Sequence, residues 1–477
     1  MAITMENVNT LIWRYLSESG FQHSAFMFQT ESMVDNSKSD ICQIPSGSLI
    51  SILQKSLLYM KLEKIVKAAK KDPNHKLHNQ ISEIESRFPE IIMISTQNAR
   101  ILQGHRSNVF GCHWSPNRKL LSTASADGTT IIWEVDSEIP TTPISNSTET
   151  NSHNSMSQCY YYSYKSNSLI LGYPRVSLRK VVGTPDLVTM DHGITMIDWN
   201  NTGTLFATGS FDHTAQIYTS EGDFYAALTG HTDSVFAVRF SPSGKYIVTC
   251  SADKTAILWD VANKIMLHIY SHHTDEILDF AWKNDVIFAT ASSDNSIGIC
   301  NINGEYQFLL GHTSHVIAVS YSSDGRYLAS ASEDTTVCIW SDNNEPIVYA
   351  NHETGVLCIK WVPNSNYTIV SSSQDGAVHV WNAQDGTLLH VIKSHIKNVI
   401  SLSISPCGSF LASGGRDMIV DISNIKTGER IATMSKKSPV YEVQWDPSGQ
   451  FLAICFEDST VAIVQSSLFL QLLFHDN

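Results

Sequence analysis

The sequence predicts an all-β propeller of eight blades preceded by a small all-α module. Three observations predict it: a repeat of about 40 residues running from Gly104 onward, a fixed Gly-His, Asp and Trp pattern inside the repeat, and an apolar series at helical spacing near the N-terminus. A period in the range of 20–50 residues marks a stacked or ring-shaped architecture, so it outranks any local helix or strand assignment.

Three segments display the repeat plainly. GHRSNVFGCHWSPNRKLLSTASADGTTIIW begins at Gly104, GHTDSVFAVRFSPSGKYIVTCSADKTAILW at Gly230 and GHTSHVIAVSYSSDGRYLASASEDTTVCIW at Gly311. In each, an aspartate follows the histidine by 22 residues and a tryptophan closes the unit six residues later. Short runs rich in Val, Ile, Thr and aromatic residues alternate with Ser-Pro, Asp-Gly and Asp-Lys turns, the signature of small antiparallel sheets. No such sheet buries both faces alone, so the units stack into a closed ring.

Weaker units complete the count. His273 with Asp294, His352 with Asp375 and Trp381, and His395 with Asp417 keep the spacing within a residue. The last unit has Lys436 for the histidine but keeps Trp445 and Asp458, and another lies around Trp199, Asp212 and Tyr218. Openings near 105, 190, 231, 273, 312, 352, 395 and 436 make eight. Closure is expected where residues 98–102 supply the outer strand of the last blade beside residues 461–464, because pairing both chain ends protects exposed strand edges. Blades around Cys300, Ser423 and Val464 lack the closing tryptophan and are expected to be softer. An insertion of some 50 residues follows Val135. Its polar, low-complexity part, about 136–166, reads as a mobile surface loop, and its later part returns to supply the first blade's outer strand.

At the N-terminus, Val8, Leu11, Ile12, Tyr15 and Leu16 share a helical face, and after Ser19-Gly20 a second series runs Phe21, Ala25, Phe28. A third helix is expected after Pro45, with Leu49, Ile52, Leu53 and Leu57 on one side. Helices this short cannot bury their faces individually, and association between chains is the natural solution. The expected organisation is a helical oligomerisation domain over 1–66, a polar linker over 67–97 and the propeller over 98–477.

Composition narrows the function classes. A net charge of −14 opposes generic attraction to nucleic-acid phosphates, so no direct specific DNA binding is expected. No stretch approaches the roughly 18 consecutive apolar residues of a membrane span. Residues 1–9 lack the pattern of a secretory signal, which leaves an intracellular protein as the expectation. Nine cysteines, without CxxC pairing and mostly within strand-like runs, read as reduced core thiols.

These repeats resemble the WD-repeat family over roughly Ala99 to Val464, about three quarters of the chain. The resemblance implies that a histidine, a serine or threonine, the aspartate and the tryptophan form a buried hydrogen-bond chain within a blade. The expected sets are His105, Ser125, Asp127 and Trp133; His231, Ser251, Asp253 and Trp259; His312, Ser332, Asp334 and Trp340; and His352, Ser373, Asp375 and Trp381. A Ser/His/Asp grouping suggests nucleophilic catalysis in other settings, but an enzyme builds one such site, whereas this grouping recurs at a fixed period. Metal ligation fails similarly, since ligands in different blades stand far apart around the ring. No catalytic residue, cofactor or metal is therefore expected.

The N-terminal series LIWRYLSESGFQHSAFMFQTE resembles a LisH motif, which implies self-association through Leu11, Ile12, Tyr15, Leu16 and Phe28. The whole arrangement, with the phrases IPSGSLISILQKSLLY from Ile44 and DWNNTGTLFATGSFDHTAQIY from Asp198, is similar to the transducin-β-like LisH/WD-repeat subunits of corepressor–histone deacetylase complexes, fungal or animal. That resemblance implies a nuclear scaffold joining a SANT-domain corepressor and a histone deacetylase, with histone tails as a further partner. It also implies a partner-binding rim near the central channel, at Phe110, Phe211, Phe236, Leu278, His315, Glu333, Arg416, Tyr441 and Glu457. A LisH/WD substrate receptor of a ubiquitin ligase, or a microtubule-motor regulator, is the alternative.

Overall fold

Short strands rich in β-branched residues, broken by Gly- and Asp-containing turns, assemble here into eight antiparallel sheets. The computed structural model describes residues 91–94, 98–117, 119–136, 175–183, 192–341, 346–349, 352–365 and 367–467. Leu11, Ile12, Tyr15, Leu16 and Phe28, most of the expected linker, the 136–166 loop beyond its first residue, and the apolar 468–474 segment lie outside the described residues. By compactness the chain divides into Met1–Ile91 and Ile92–Asn477.

Seven blades are built on four consecutive strands, as in Val235–Phe240, Tyr246–Ser251, Ala256–Asp260 and Ile265–Tyr270 of the third. The first blade reaches its outer strand, Arg175–Gly183, across the insertion, as the sequence predicts. In the eighth, Arg100–Gln103 pairs antiparallel with Thr460–Gln465, so the two ends of the repeat region share one sheet. The expected closing strand is thus present, beginning at Arg100. Within the expected linker, Ile92–Ile94 adds a fifth strand, parallel to Arg430–Ser435 of the seventh blade. There Ile94 joins a buried cluster with Ile431 and Met434, whereas the outer strand of the third blade is mostly exposed.

The core lies between blades. Among the described residues eight apolar clusters occur, one at each seam; that between the eighth and first blades combines Phe451, Cys455 and Ile463 with Cys112, Trp114 and Leu121. The innermost strands touch in succession around the ring, from Val109–Trp114 through to Val440–Trp445 and back. Each is a sheet edge with backbone groups that need partners. Side chains of the preceding blade supply them. The amides of Cys112 and Trp114 donate to Glu442 Oε2 (2.7 Å) and Gln444 Oε1 (3.1 Å), and those of Phe240 and Val319 donate to Asp198 (2.7 Å) and Asp279 (3.1 Å).

Turn chemistry fixes the other end of the blade. The residue after each repeat aspartate is left-handed: Gly128 and Gly376 in the first and sixth blades, but His213, Lys254, Asn295, Thr335, Met418 and Ser459 in the others. A branched residue such as Thr335 (φ 73°) is strained there. Its aspartate holds the turn by accepting the amide two residues on, Thr336 N to Asp334 Oδ1 at 2.9 Å.

Candidate protein-interaction face

The repeat histidines sit where the chain enters each blade. In the first, His105 Nδ1 lies 3.3 Å from Asp127 Oδ2 and Nε2 lies 2.8 Å from Thr123 Oγ1, while the Trp133 indole donates to the same Oγ1 at 3.0 Å. His231, Asp253, Thr249 and Trp259 repeat this geometry, as do His312, Asp334, Ser330 and Trp340. The hydroxyl joining histidine to tryptophan is therefore two residues earlier than the sequence reading placed it. Ser125, Ser251, Ser332 and Ser373 do not bridge. Side chains alternate along a strand, so the residue two positions back shares the face but lies deeper, within reach of the indole. Ser125 ties the loops instead, accepting from the Asp127 amide (3.1 Å) and donating to Ser107 O (3.1 Å). The motif's two hydroxyl positions are alike in sequence, and only the depth of the indole distinguishes them.

Electrostatics locks these groups. Burial pushes the Asp127 and Asp253 carboxyls up, but hydrogen bonds from the histidine, a threonine hydroxyl and a loop amide outweigh it and hold both well below the usual carboxylate range. Asp294 is likewise held at about 2. Burial lowers His273, His312 and His352 despite their aspartates, which keeps the imidazoles neutral. Thr123, Thr249, Thr290, Ser330 and Ser371 are fully buried, so the hydroxyl nearest each histidine is closed to solutes. Among the described residues no group of three or more His, Cys, Asp or Glu is placed to hold a metal ion.

Blades that depart from the full set rebuild it locally. In the fourth, Cys300 and Gly298 leave space that His272 fills, stacked on Tyr306 (centroids 4.5 Å apart) with Nε2 3.8 Å from Cys300 Sγ. Burial and the neighbouring His273 hold His272 down at about 4. In the seventh, buried Asp421 pairs with Arg430 (2.6 Å) and accepts from Ser423. In the eighth, Lys436 replaces the histidine, reaching Asp458 at 2.6 Å across the Phe456 ring. In the sixth, His352 bonds Ser371 (2.9 Å) but stands 3.6 Å from Asp375 and stacks on His379.

Backbone bonds tie the two loops of each blade into one face. The amide preceding the aspartate donates into the loop after the histidine: Ala126 to Asn108 O, Glu333 to His315 O, Arg416 to Asn398 O and Glu457 to Pro439 O. The nine expected rim residues lie in or next to these paired loops of their own blades. The structure brings Phe110 together with Phe211 (6.2 Å) and Tyr441 (5.4 Å), both edge-to-face, and His315 with Glu333 (3.6 Å). Arg416 and Glu457 stand exposed in their own blades, and Phe236 and Leu278 are half-buried in successive ones.

One feature of this face escaped the sequence reading. The second residue of every innermost strand is the extra residue of a β-bulge, at Phe110, Thr195, Phe236, Leu278, Ile317, Leu357, Ile400 and Tyr441. A bulge leaves its extra residue unpaired and re-aims the side chain. All eight are half-buried. They form a largely apolar collar at the channel mouth, with Thr195 and the Tyr441 hydroxyl its polar groups, and Phe211 packs against Phe110 next to it. Ile317, Leu357 and Ile400 share the offset of Phe110 from the opening histidine. That offset was the available signal, but an aliphatic residue in an apolar strand reads as core.

Comparison with known proteins places this geometry. The family model described as WD domain, G-beta repeat matches residues 96–134, 184–219, 222–260, 304–341, 345–382, 386–422 and 428–464, and the LisH model matches residues 6–32. The gap falls on the fourth blade, where Cys300 stands for the tryptophan. F-box-like/WD repeat-containing protein TBL1X of Mus musculus is 28% identical over 97% of this chain and 99% of its own length. WD40 repeat-containing protein HOS15 of Arabidopsis thaliana is 32% identical over 78% of this chain and 58% of its own. Among solved structures, the C-terminal WD40 domain of Sif2 superposes with a TM-score of 0.63 at 17% identity, covering 79% of this chain and 99% of that one, a likeness of fold. With its LisH motif, its repeats and its eight closed blades, the chain belongs to the WD-domain family and is homologous to the TBL1X-like LisH/WD-repeat proteins.

Proposed function

We propose that this chain is a non-catalytic scaffold subunit of a nuclear histone deacetylase corepressor complex. It self-associates through Leu11, Ile12, Tyr15, Leu16 and Phe28 of the LisH motif and binds partner proteins or histone tails through the propeller face. The observation that carries the reading is the near end-to-end match to TBL1X, which spans both the LisH motif and the ring. The face supports it physically: apolar and aromatic residues at the centre and charged residues around them are the anatomy of a protein-binding hot spot. A SANT-domain corepressor and the deacetylase are the proposed partners. Linked copies would hold chromatin-associated partners more tightly than one copy alone. The test is affinity purification of the full chain from nuclear extract. Recovery of deacetylase activity and a SANT-domain protein is expected; ubiquitin-ligase subunits or dynein without deacetylase would overturn the reading.

A further inference from the structure

We propose that the collar takes an extended peptide segment of a partner in which one bulky apolar side chain is flanked by basic residues on one side and acidic residues on the other. The inference rests on the propeller face being the partner-binding surface. It starts from the bulges. Eight independent irregularities at one register position present seven apolar side chains around one opening, and uniform pairing would have left none of them unpaired at the mouth. An apolar ring about an axis fits a single inserted apolar side chain.

Charge around the collar selects what flanks that side chain. In the loops of the third to sixth blades, Asp233, Glu333 and Glu353 are exposed and Glu276 is half-buried; the one lysine among the described residues there, Lys254, lies 3.9 Å from a further carboxylate, Asp275. In the seventh and eighth blades the same loops carry the exposed Lys397, Arg416 and Lys437, against Glu457. Lys436 is neutralised by Asp458. The histidine-bonded aspartates occur in both halves and create no difference between them. Among the described residues the face is thus divided into an acidic and a basic half with the collar between. A segment crossing the mouth meets both, its basic arm over the third to sixth blades and its acidic arm over the seventh and eighth.

Fluorescein-labelled nonapeptides titrated with the full chain test this. One carries three basic residues, Gly-Leu-Gly and three acidic residues; a second reverses that order; a third has the same composition with the charges alternating; a fourth replaces the central leucine by glycine. One blocked order should bind, with the alternating and glycine peptides about tenfold weaker or worse. Leu357→Asp and Ile400→Asp should each weaken it about tenfold, while Leu357→Met retains it with an unchanged melting curve. Glu333→Lys with Glu353→Lys should turn the preference toward a peptide with two acidic arms. Equal binding of blocked and alternating peptides, indifference to the collar variants, or no binding of either blocked peptide up to about 1 mM would overturn the inference. If the collar variants still recover deacetylase from nuclear extract, the scaffold reading stands while this one falls.

Discussion

The sixth blade should loosen in mild acid, and His379 is the reason. In the first, third and fifth blades a threonine hydroxyl lies within 3.2–3.3 Å of the histidine Nδ1. The sixth has Ala377 there, and His352 instead stacks on His379 with centroids 3.8 Å apart and planes 11° from parallel. The Nδ1 atoms of both rings are buried without hydrogen-bond partners. Burial, the neighbouring His352 and Lys393 hold His379 down at about 4, against the pull of Asp375. Unfolded, the same side chain titrates near 6.5. Between these values the unfolded state binds more protons, so stability is complete above the upper one and declines as pH falls toward the lower. At pH 5 the loss is about 1–2 kcal/mol, the upper figure being 1.36 kcal/mol for each pH unit below 6.5. His379→Ile places there the residue found at the equivalent Ile131 and Ile257. Hydrogen exchange of the strands Thr368–Ser373 and Ala377–Asn382, read at pH 7.5 and pH 5, isolates the effect from the other buried histidines. The parent should lose protection in these strands and the variant should lose much less. An equal loss in both would refute the assignment of acid sensitivity to the stacked pair.

Three further outcomes are expected. Thr123→Val strips the partner from His105 Nε2 and the Trp133 indole together and should cost about 2–4 kcal/mol in denaturant unfolding, against about 1 for Ser125→Ala, because buried groups left unbonded bear their full desolvation penalty; the reverse order would mean the bridging hydroxyl is misassigned. Burial pushes Glu442 up to about 7, so the folded chain retains a proton there that the unfolded chain releases, and stability falls as pH rises from the ordinary carboxylate value through 7. Glu442→Gln keeps an acceptor for the Cys112 amide and should gain on the order of 1 kcal/mol at pH 8 but little at pH 4, after allowance for solvent in the channel; thermal melts at both values decide. Leu16→Asp should reduce the mass of the full chain in light scattering to that of a monomer, and an unchanged mass would remove the LisH motif from self-association.

The ring was legible because its determinants are local and repeated: the Gly-His opening, the aspartate and the turn pairs recur often enough for weak units such as those of Cys300 and Lys436 to be counted by spacing. Closure by Arg100–Gln103 was legible for the same reason, since the first repeat begins one strand early. What escaped depends on three-dimensional neighbours. His272 reads as the spare half of a His-His pair until Gly298 and Cys300 are seen to vacate the space beside it. Thr123 and Ser125 are indistinguishable without the depth of the Trp133 indole. The Ile92–Ile94 strand is too short to announce itself, and the bulges that form the collar leave no mark on composition.

The offset between repeat and sheet has a consequence for how the gene can be cut. Since the strand that completes the last blade is encoded ahead of the first Gly-His pair, a product starting at Gly104 would retain every repeat histidine, aspartate and tryptophan and still present a raw, three-stranded sector to solvent. Splicing or proteolysis that spares all recognisable motifs could therefore turn a monodisperse ring into a sticky, turnover-prone fragment.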